Sequence, residues 1–340
     1  MKHPKLHKFL SNFKRFPVIM SLAIIIPSLV SVVRYAASSN YRYHNFYYDG
    51  ETINVDPNKF EITGIKKIGD VVQVASAFSY QGGACYEKYY AICCDNFEAL
   101  IIYDSTNMKV EHTILTGLFN TKWHCNQMFF GPDFYNARDK FPLLYISMEH
   151  KEERKLVAVR IYSQGGEYRV QIVQTITLMF SKEEDTVYYP NAYYDYEFHL
   201  VYWAGYTENS YMKSDTNKLK FYSFVLPDYR EENVECSTED SFEPFELPSE
   251  TATQGGFISK GYLYQTFSFA SKTDPLRTPK MRVVDIKEHT IIKDYQNLGE
   301  SFGVYEEFEH VAISKEGRLL SLGNPLHLYE FEYIGKLSSN

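Results

Sequence analysis

Five short motifs, each with a polar residue at the same position, recur along this chain of 340 residues. Each motif begins a group of short apolar and aromatic runs separated by polar turns, a pattern typical of β-strands. Consecutive motifs lie about 45 to 65 residues apart, which is the size of a four-stranded blade with loop insertions. The equivalent polar residues are Gln81, Asn126, Asn191, Gln254 and Glu309.

The two clearest copies share a glutamine followed by two glycines. Tyr80-Gln81-Gly82-Gly83-Ala84 corresponds to Thr253-Gln254-Gly255-Gly256-Phe257, and each copy precedes an aromatic strand, a run that ends in aspartate and a fourth strand. This order predicts one four-stranded antiparallel unit that occurs twice. Weaker copies begin at Trp123-His124-Cys125-Asn126, Tyr189-Pro190-Asn191-Ala192 and Glu307-Phe308-Glu309-His310.

The last unit has only three recognisable strands, whereas Phe60–Val74 is rich in strand-forming residues and belongs to no unit. Pairing this segment with the last unit would close a ring and remove both open sheet edges. We therefore predict an all-β protein, a β-propeller of five recognisable blades closed by its N-terminal strand. A sixth, degenerate blade around residues 40–75 and a β-sandwich are the alternatives. The propeller domain is predicted over residues 60–340, after a linker at 39–59.

The N-terminus has the pattern of a targeting segment. A basic stretch ending at Arg15 precedes Phe16–Val33, which is uncharged and mostly apolar, and Ala36-Ala37-Ser38 forms a small-residue cleavage site. Residues 1–38 are therefore predicted to be a secretory signal or a membrane anchor, with a buried core helix as the third interpretation. Either of the first two places the protein in the cell envelope, outside the cytoplasm, as a secreted, periplasmic or anchored protein.

Charge and cysteine usage exclude several classes of function. The net charge is −8, and because residues 1–38 carry six basic and no acidic residues, the remainder is at −14. Such a body would repel nucleic acid and anionic membranes, so only the N-terminal segment is expected to meet a membrane. The five cysteines include no CxxC or zinc spacing, so no metal or cofactor is predicted. They are free thiols, or Cys85 pairs with Cys93 or Cys94. A monomer is expected.

In a propeller the first strand of each blade lines the central channel. The five equivalent residues, Gln81, Asn126, Asn191, Gln254 and Glu309, would then form a polar ring, which either binds a small polar ligand such as a sugar or peptide or locks neighbouring blades together. The adjacent glycines fit a place where backbone crowds the axis. His124 and His310, together with Glu309, are the candidates for a catalytic group. The acidic run Glu231–Glu250 is predicted to be a solvated loop.

The linked order of several motifs resembles a group of Bacteroides-type, envelope-directed, propeller-like proteins of undefined function. The motifs are QGGA with a following IYD run, HCNQMFFGP with FPLLYISME, YPNA and ATQGGF, and the resemblance covers about residues 60–335. The last motif of that group usually reads Glu-Pro-Glu-Gly, whereas this chain has Glu307-Phe308-Glu309-His310.

The motifs also resemble those of plant-type glutamine cyclotransferases, five-bladed proteins that convert N-terminal glutamine to pyroglutamate. That resemblance implies that Gln254 and Glu309 sit in a substrate pocket, with Glu309 as the proton shuttle. The sequence lacks a recognisable nucleophile, metal site or cofactor loop, which favours an extracytoplasmic binding or interaction module. The cyclase is the alternative.

Overall fold

The computed structural model describes residues 55–74, 79–118, 124–150, 153–268, 278–324 and 326–335, in which there are 21 β-strands and one short α-helix, α1 (Leu298–Phe302). The strands are β1 (Glu61–Asp70), β2 (Tyr80–Tyr86), β3 (Tyr89–Cys94), β4 (Ala99–Asp104), β5 (Lys109–Leu115), β6 (His124–Phe130), β7 (Leu144–His150), β8 (Glu153–Gln164), β9 (Glu167–Met179), β10 (Tyr188–Asp195), β11 (Leu200–Tyr206), β12 (Lys218–Val225), β13 (Asn233–Ser237), β14 (Phe245–Pro248), β15 (Thr253–Ser259), β16 (Tyr262–Phe267), β17 (Lys280–Asp285), β18 (Thr290–Tyr295), β19 (Glu307–Ile313), β20 (Leu319–Asn324) and β21 (His327–Ile334).

These strands form five sheets, and each sheet is one blade of a five-bladed β-propeller, as predicted. In order from the innermost strand, blade 1 is β2-β3-β4-β5, blade 2 is β6-β7-β8-β9-β13, blade 3 is β10-β11-β12-β14, blade 4 is β15-β16-β17-β18 and blade 5 is β19-β20-β21-β1. Neighbouring strands pair antiparallel, except that β13 runs parallel to β9. Each of the five motifs begins the innermost strand of a blade, so all five blades were located correctly.

The N-terminal strand closes the ring. β1 pairs antiparallel with β21 along its whole length, from Glu61 opposite Ile334 to Asp70 opposite His327. Blade 5 therefore takes three strands from the end of the chain and its outermost strand from the beginning, which confirms the predicted closure. The predicted sixth blade has no sheet within the described residues, because its strand-rich half is β1.

Five clusters of buried hydrophobic residues hold the blades together, one at each interface between neighbouring blades. Both faces of a blade are covered by its neighbours, which explains why every residue of β3 and β4 is buried. Representative pairs, in order around the ring, are Leu100 with Met128, Leu143 with Trp203, Phe221 with Leu263, Met281 with Phe308, and Leu320 with Ile92. Aromatic side chains fill much of this interface, which accounts for the high tyrosine and phenylalanine content.

The prediction of a solvated loop over Glu231–Glu250 is wrong. Part of this run forms β13, which extends blade 2, and another part forms β14, the outermost strand of blade 3. Glu250 itself is completely buried. The run is acidic, but its carboxylates alternate with side chains such as Phe245 and Leu247 that pack between blades 3 and 4.

Two further expectations concern the cysteines and the N-terminus. All five cysteines lie within the described residues, and each is a free thiol. No helix in the described part of the chain is long and apolar enough to cross a membrane. The predicted targeting segment, residues 1–38, lies outside the described residues. Val55, in the segment predicted as a linker, packs with Phe60 in the core between blades 4 and 5.

Candidate functional site

A β-bulge in each innermost strand aims the predicted ring residues toward the axis. The pairing register shifts between Tyr80 and Gly83, Cys125 and Gln127, Tyr188 and Asn191, Thr253 and Gly256, and Phe308 and His310. A bulge leaves an extra residue outside the ladder and turns its side chain away from the regular alternation. Gln81, Asn126, Gln254 and Glu309 lie within such bulges, and Asn191 directly follows one. The five positions are therefore structurally equivalent.

We call the end of the channel at which the innermost strands begin the upper mouth, and the opposite end the lower mouth. The ring residues lie near the upper mouth and have almost no solvent exposure, from 0% for Asn191 and 1% for Glu309 to 7% for Gln254 and 8% for Gln81 and Asn126. The structure thus brings together all five residues that the sequence predicted as a ring, but it buries them.

Three of the four ring amide nitrogens donate to other blades, whereas Gln81 Nε2 donates to the Ser79 hydroxyl, two residues before it, over 3.0 Å. Asn126 Nδ2 and Asn191 Nδ2 both donate to the Thr253 carbonyl, each over 3.4 Å, and Asn191 Nδ2 also donates to the Gln254 carbonyl over 3.2 Å. Gln254 Nε2 donates to Glu307 Oε1 over 2.8 Å. These bonds connect blades 2, 3, 4 and 5, so the predicted locking role is part of what the ring does.

Most side-chain oxygens of the ring, unlike its amide nitrogens, form no hydrogen bond within the described residues. Within the described residues, Gln81 Oε1, Asn126 Oδ1, Asn191 Oδ1 and both carboxyl oxygens of Glu309 are buried and have no hydrogen-bond partner. A buried polar atom without a partner loses its hydration without compensation, at a cost of about 1–3 kcal/mol. Proteins retain few such atoms, and those that remain frequently mark a functional site or a bound water or ion. Here they occur at four of the five ring positions.

The surroundings of Glu309 favour the protonated form of its carboxyl. Burial raises the pKa of its carboxyl well above the usual range, and the negative charges of Glu307 and Asp95 raise it further. The side chain of Asn324 lowers the pKa in part, without completing a hydrogen bond to either carboxyl oxygen. A group with these properties releases its proton when a positive charge or several hydrogen-bond donors approach it.

Directly below the ring, two side chains close the channel. Gln127 reaches across the axis to blade 4, where its Nε2 donates to the Gly256 carbonyl over 2.6 Å and its Oε1 accepts from the Gly256 amide over 2.9 Å. His310 lies between Gln81 and Tyr90 of blade 1. The sequence analysis missed the role of Gln127, although it is the second consecutive amide residue of its motif.

The glycines of the two motifs fit a crowded axis, as the sequence predicted, but at Gly83 and Gly255 the nearest neighbours are side chains rather than backbone. A Cβ atom at Gly83 would lie 1.8 Å from Nε2 of His310, and one at Gly255 would lie 2.3 Å from Oε1 of Gln127. Neither distance is compatible with a side chain. The glycines of blades 1 and 4 therefore accommodate protein side chains rather than a phosphate group.

The two histidines predicted as catalytic candidates lie in different surroundings. His310 has no exposed surface, and its Nδ1 donates to the Gln81 carbonyl over 2.6 Å because a carbonyl oxygen can only accept. Its Nε2 consequently accepts the Tyr90 hydroxyl over 2.5 Å. His124 is half exposed at the upper mouth and forms an ion pair with Asp95, with 2.5 Å between Nδ1 and Oδ1. Of the two, only His124 is accessible to a substrate.

Burial lowers the pKa of His310 to about 4, whereas the hydrogen bond to Gln81 opposes the shift. Between pH 6.5 and 4, His310 is protonated in the unfolded chain but stays neutral in the native protein. The free energy of unfolding therefore falls on acidification, by up to about 3 kcal/mol. The raised pKa of Glu309 has the opposite effect, because the unfolded chain ionises first as the pH rises above about 4.5.

We therefore expect the two residues to show opposite pH slopes in urea unfolding. In Glu309→Gln the contribution of Glu309, which opposes that of His310, is removed. The free energy of unfolding of this variant should therefore fall from pH 6.5 to pH 4 more steeply than that of the wild type. His310→Gln should lose the acid-side decrease. Equal slopes in the wild type and both variants would contradict the assignment.

No group of three or more His, Cys, Asp or Glu side chains in the described part of the chain is arranged to hold a metal ion. The ring offers instead a mixture of amide oxygens and one carboxyl group. Its arrangement can accept hydrogen bonds from a ligand at the upper mouth.

The comparisons with known proteins found similarity to solved structures only. No family model matches the chain, and no curated protein matches it. Solved structures that are similar in fold include a PQQ-bound aldose sugar dehydrogenase from Streptomyces coelicolor, with 10% identity, a TM-score of 0.47, and coverage of 82% of this chain and 99% of that one. A glutaminyl cyclase from Myxococcus xanthus has 10% identity, a TM-score of 0.44, and coverage of 79% and 96%. A glucose dehydrogenase has 8% identity, a TM-score of 0.44, and coverage of 79% and 99%.

Proposed function

We propose that this protein is a binding module whose ligand sits at the upper mouth of the propeller channel, held by Gln81, Asn126, Asn191, Gln254 and Glu309. The observation that carries the proposal is the set of buried ring oxygens without partners. A ring that served only to lock the blades would be expected to satisfy its acceptors as well as its donors.

The ring atoms that form hydrogen bonds to the protein, and those that form none, indicate the chemistry of the ligand. The amide nitrogens of Asn126, Asn191 and Gln254 are engaged by protein acceptors, whereas amide and carboxyl oxygens remain. The ligand must therefore donate hydrogen bonds to the amide oxygens, and the protonated carboxyl of Glu309 can also donate one to the ligand. Hydroxyl groups of a sugar and the amino group of a peptide both meet this requirement, and an amino group would also favour ionisation of Glu309.

The upper mouth is polar, which is consistent with such a ligand. Asp95 and His124 form their ion pair there, and the side chains of both are partly exposed. Gln81, Asn126 and Gln254 retain a small exposed surface. A ligand that approaches from this side would meet these three amides before Asn191 and Glu309.

We further propose that the module works outside the cytoplasm as a monomer. The support is the basic and apolar pattern of residues 1–38 and the acidic body of the chain. The same acidity disfavours nucleic acid as a partner. Contact with a membrane is proposed for the N-terminal segment alone.

The proposal is tested by thermal unfolding and calorimetric titration of the full chain with glucose, the dipeptide Gln-Gly and calcium chloride. We expect glucose or Gln-Gly to raise the unfolding temperature, and Asn126→Ala and Glu309→Gln each to abolish that increase. Gln174→Ala is the matched control, because Gln174 is also buried with an unpartnered Oε1 but lies in β9, outside the ring. The absence of any response to the three probes, or an equal loss in the control, would refute ligand binding at the ring.

The alternative is a glutamine-cyclotransferase-like enzyme in which Glu309 shuttles a proton. The raised pKa of Glu309 favours it, because a carboxyl that keeps its proton to higher pH can donate that proton to the leaving group. In this reaction the α-amino nitrogen attacks the side-chain carbonyl carbon and ammonia leaves. However, Glu309 is 1% exposed and the ring amides donate to protein acceptors, so the mouth would have to open. Release of ammonia from Gln-Gly, lost in Glu309→Gln, would support the enzyme.

A further inference from the structure

The lower half of the channel contains a cavity, on the far side of Gln127 from the ring. Its volume is about 60 Å³, and all five innermost strands contribute to its walls. The wall residues from β2 and β6 include Ala84, Met128 and Phe130, and those from β15 and β19 include Ile258 and Ala312. All of these are buried, whereas Ile313 at the outer edge is partly exposed, so the cavity opens toward solvent at the lower mouth.

The walls carry no charge, which is unusual for a chain of this net acidity. Every residue that lines the cavity is apolar, aromatic or uncharged. Three of the polar side chains among them, Gln127, Tyr194 and Tyr196, are already engaged. Gln127 is bonded through both its Oε1 and its Nε2, the Tyr196 hydroxyl donates to the Phe130 carbonyl, and the Tyr194 hydroxyl pairs with His199 Nδ1 over 3.2 Å.

A partition of two satisfied side chains separates this cavity from the polar ring. Gln127 contributes to the cavity and bonds to Gly256 across the axis, and His310 is fixed between Gln81 and Tyr90. The two halves of the channel therefore differ in chemistry. Unpartnered acceptors lie above the partition, and an apolar surface lies below it.

We propose that the lower cavity is a second binding site, which takes a compact branched alkyl group of about four to six heavy atoms. The size follows from the volume, because a water-sized group occupies about 10–15 Å³ on this measure. The class follows from the walls, because an alkyl group that leaves water for uncharged and mostly apolar walls gains free energy. Its aromatic rim, which includes Phe129, Phe257 and Tyr196, would contact the remainder of the ligand.

The alkyl group belongs either to a small hydrophobic molecule or to a leucine side chain of a peptide. The probes are 3-methylbutan-1-ol for the first source and N-acetyl-leucinamide for the second, with glycerol as the polar control. The reporter is the methyl resonance of Met128 in the full chain labelled at methionine methyl groups, assigned with Met128→Leu. We expect a saturable shift of that resonance with at least one alkyl probe and none with glycerol. The tighter of the two alkyl probes identifies the source.

Two variants test the location of the site. Ala312→Leu fills the cavity from its wall, and Ile313→Trp covers it from the rim, where Ile313 is only half buried. Each should abolish the saturable shift. Ile334→Trp, on the exposed face of β21, is the matched control and should retain it. No saturable shift in the wild type, an equal shift with glycerol, or a shift retained in a folded Ile313→Trp would overturn the proposal.

Discussion

We expect Glu250→Gln to lower the free energy of unfolding by about 3 to 5 kcal/mol, because the buried Lys280 loses its counterion and the buried Arg282 is left with its pair to Asp294, over 3.2 Å. The Glu250 carboxylate is completely buried and accepts from Lys213 over 2.5 Å, from Lys280 over 2.9 Å and from Arg282 over 2.6 Å. Lys280 and Arg282 are themselves buried. Glutamine preserves the shape of the side chain but removes the charge, so the loss reports electrostatics rather than packing.

The position of Glu250 explains why the effect should be large. Glu250 lies in the segment between β14 and β15, which leads from blade 3 into blade 4, and its two buried partners lie on β17 of blade 4. The ion pairs therefore fix this connecting segment to blade 4. Although burial raises the pKa of Glu250, its bonds to Lys213 and Lys280 and the charge of Arg282 lower it overall. The stabilisation is therefore present above the ordinary pKa of a glutamate and is lost as the pH falls through the lowered value.

The measurement is urea unfolding at pH 7, with Asp70→Asn as the control. Asp70 also forms a lysine pair, over 2.7 Å to Lys67, but on the surface, where solvent screens the pair. The control should unfold at the same urea concentration as the wild type. A Glu250→Gln protein as stable as the control would show that the buried cations find other partners.

The second large effect is expected from Gly83→Ala, which should destabilise the protein by about 3 kcal/mol or more because it overfills the axis. The added methyl would lie 1.8 Å from His310 Nε2, and His310 cannot turn aside while Gln81 and Tyr90 hold its two nitrogens. Gly69→Ala is the matched control, because Leu328, the nearest side chain, is 3.8 Å from the added methyl.

A double-mutant cycle identifies the cause. If the clash with His310 dominates, Gly83→Ala combined with His310→Ala should be more stable than the sum of the single effects predicts, because the shorter side chain makes room for the methyl. Thermal unfolding of the four proteins provides the comparison. If the two single effects are additive, the loss of stability in Gly83→Ala arises from the backbone of β2 rather than from the clash with His310.

The fold was predictable because a propeller repeats one local geometry five times. Each bulge requires the same kind of residue, so equivalent side chains such as Gln81 and Gln254 recur at blade-sized intervals and can be aligned without a structure. The closing strand was predictable for a related reason. Blade 5 lacked one strand and the N-terminal segment offered one, and an unpaired edge is unfavourable.

The details of the site were less predictable, because they depend on contacts between residues far apart in sequence. Asn126 and Gln127 are adjacent amides, and only the bulge decides that Asn126 joins the ring while Gln127 crosses the axis. Glu250 ends a run of acidic residues that resembles a surface loop, and its burial depends on Lys280 and Arg282 in the next blade. His310 was recognised as a candidate base, but sequence could not show that two residues of blade 1 occupy its nitrogens.

The pairing of β1 with β21 has a consequence for the synthesis of this protein in the cell. At about 5–20 residues per second, the ribosome completes β21 roughly 10 to 50 seconds after β1 has been made. During that interval β1 has no partner strand, and blade 5 cannot close the ring. Strand edges that stay open in this way promote association between nascent chains. The nascent chain should therefore depend on chaperones until its last strand emerges, and a chain truncated before β21 should aggregate rather than fold into four stable blades.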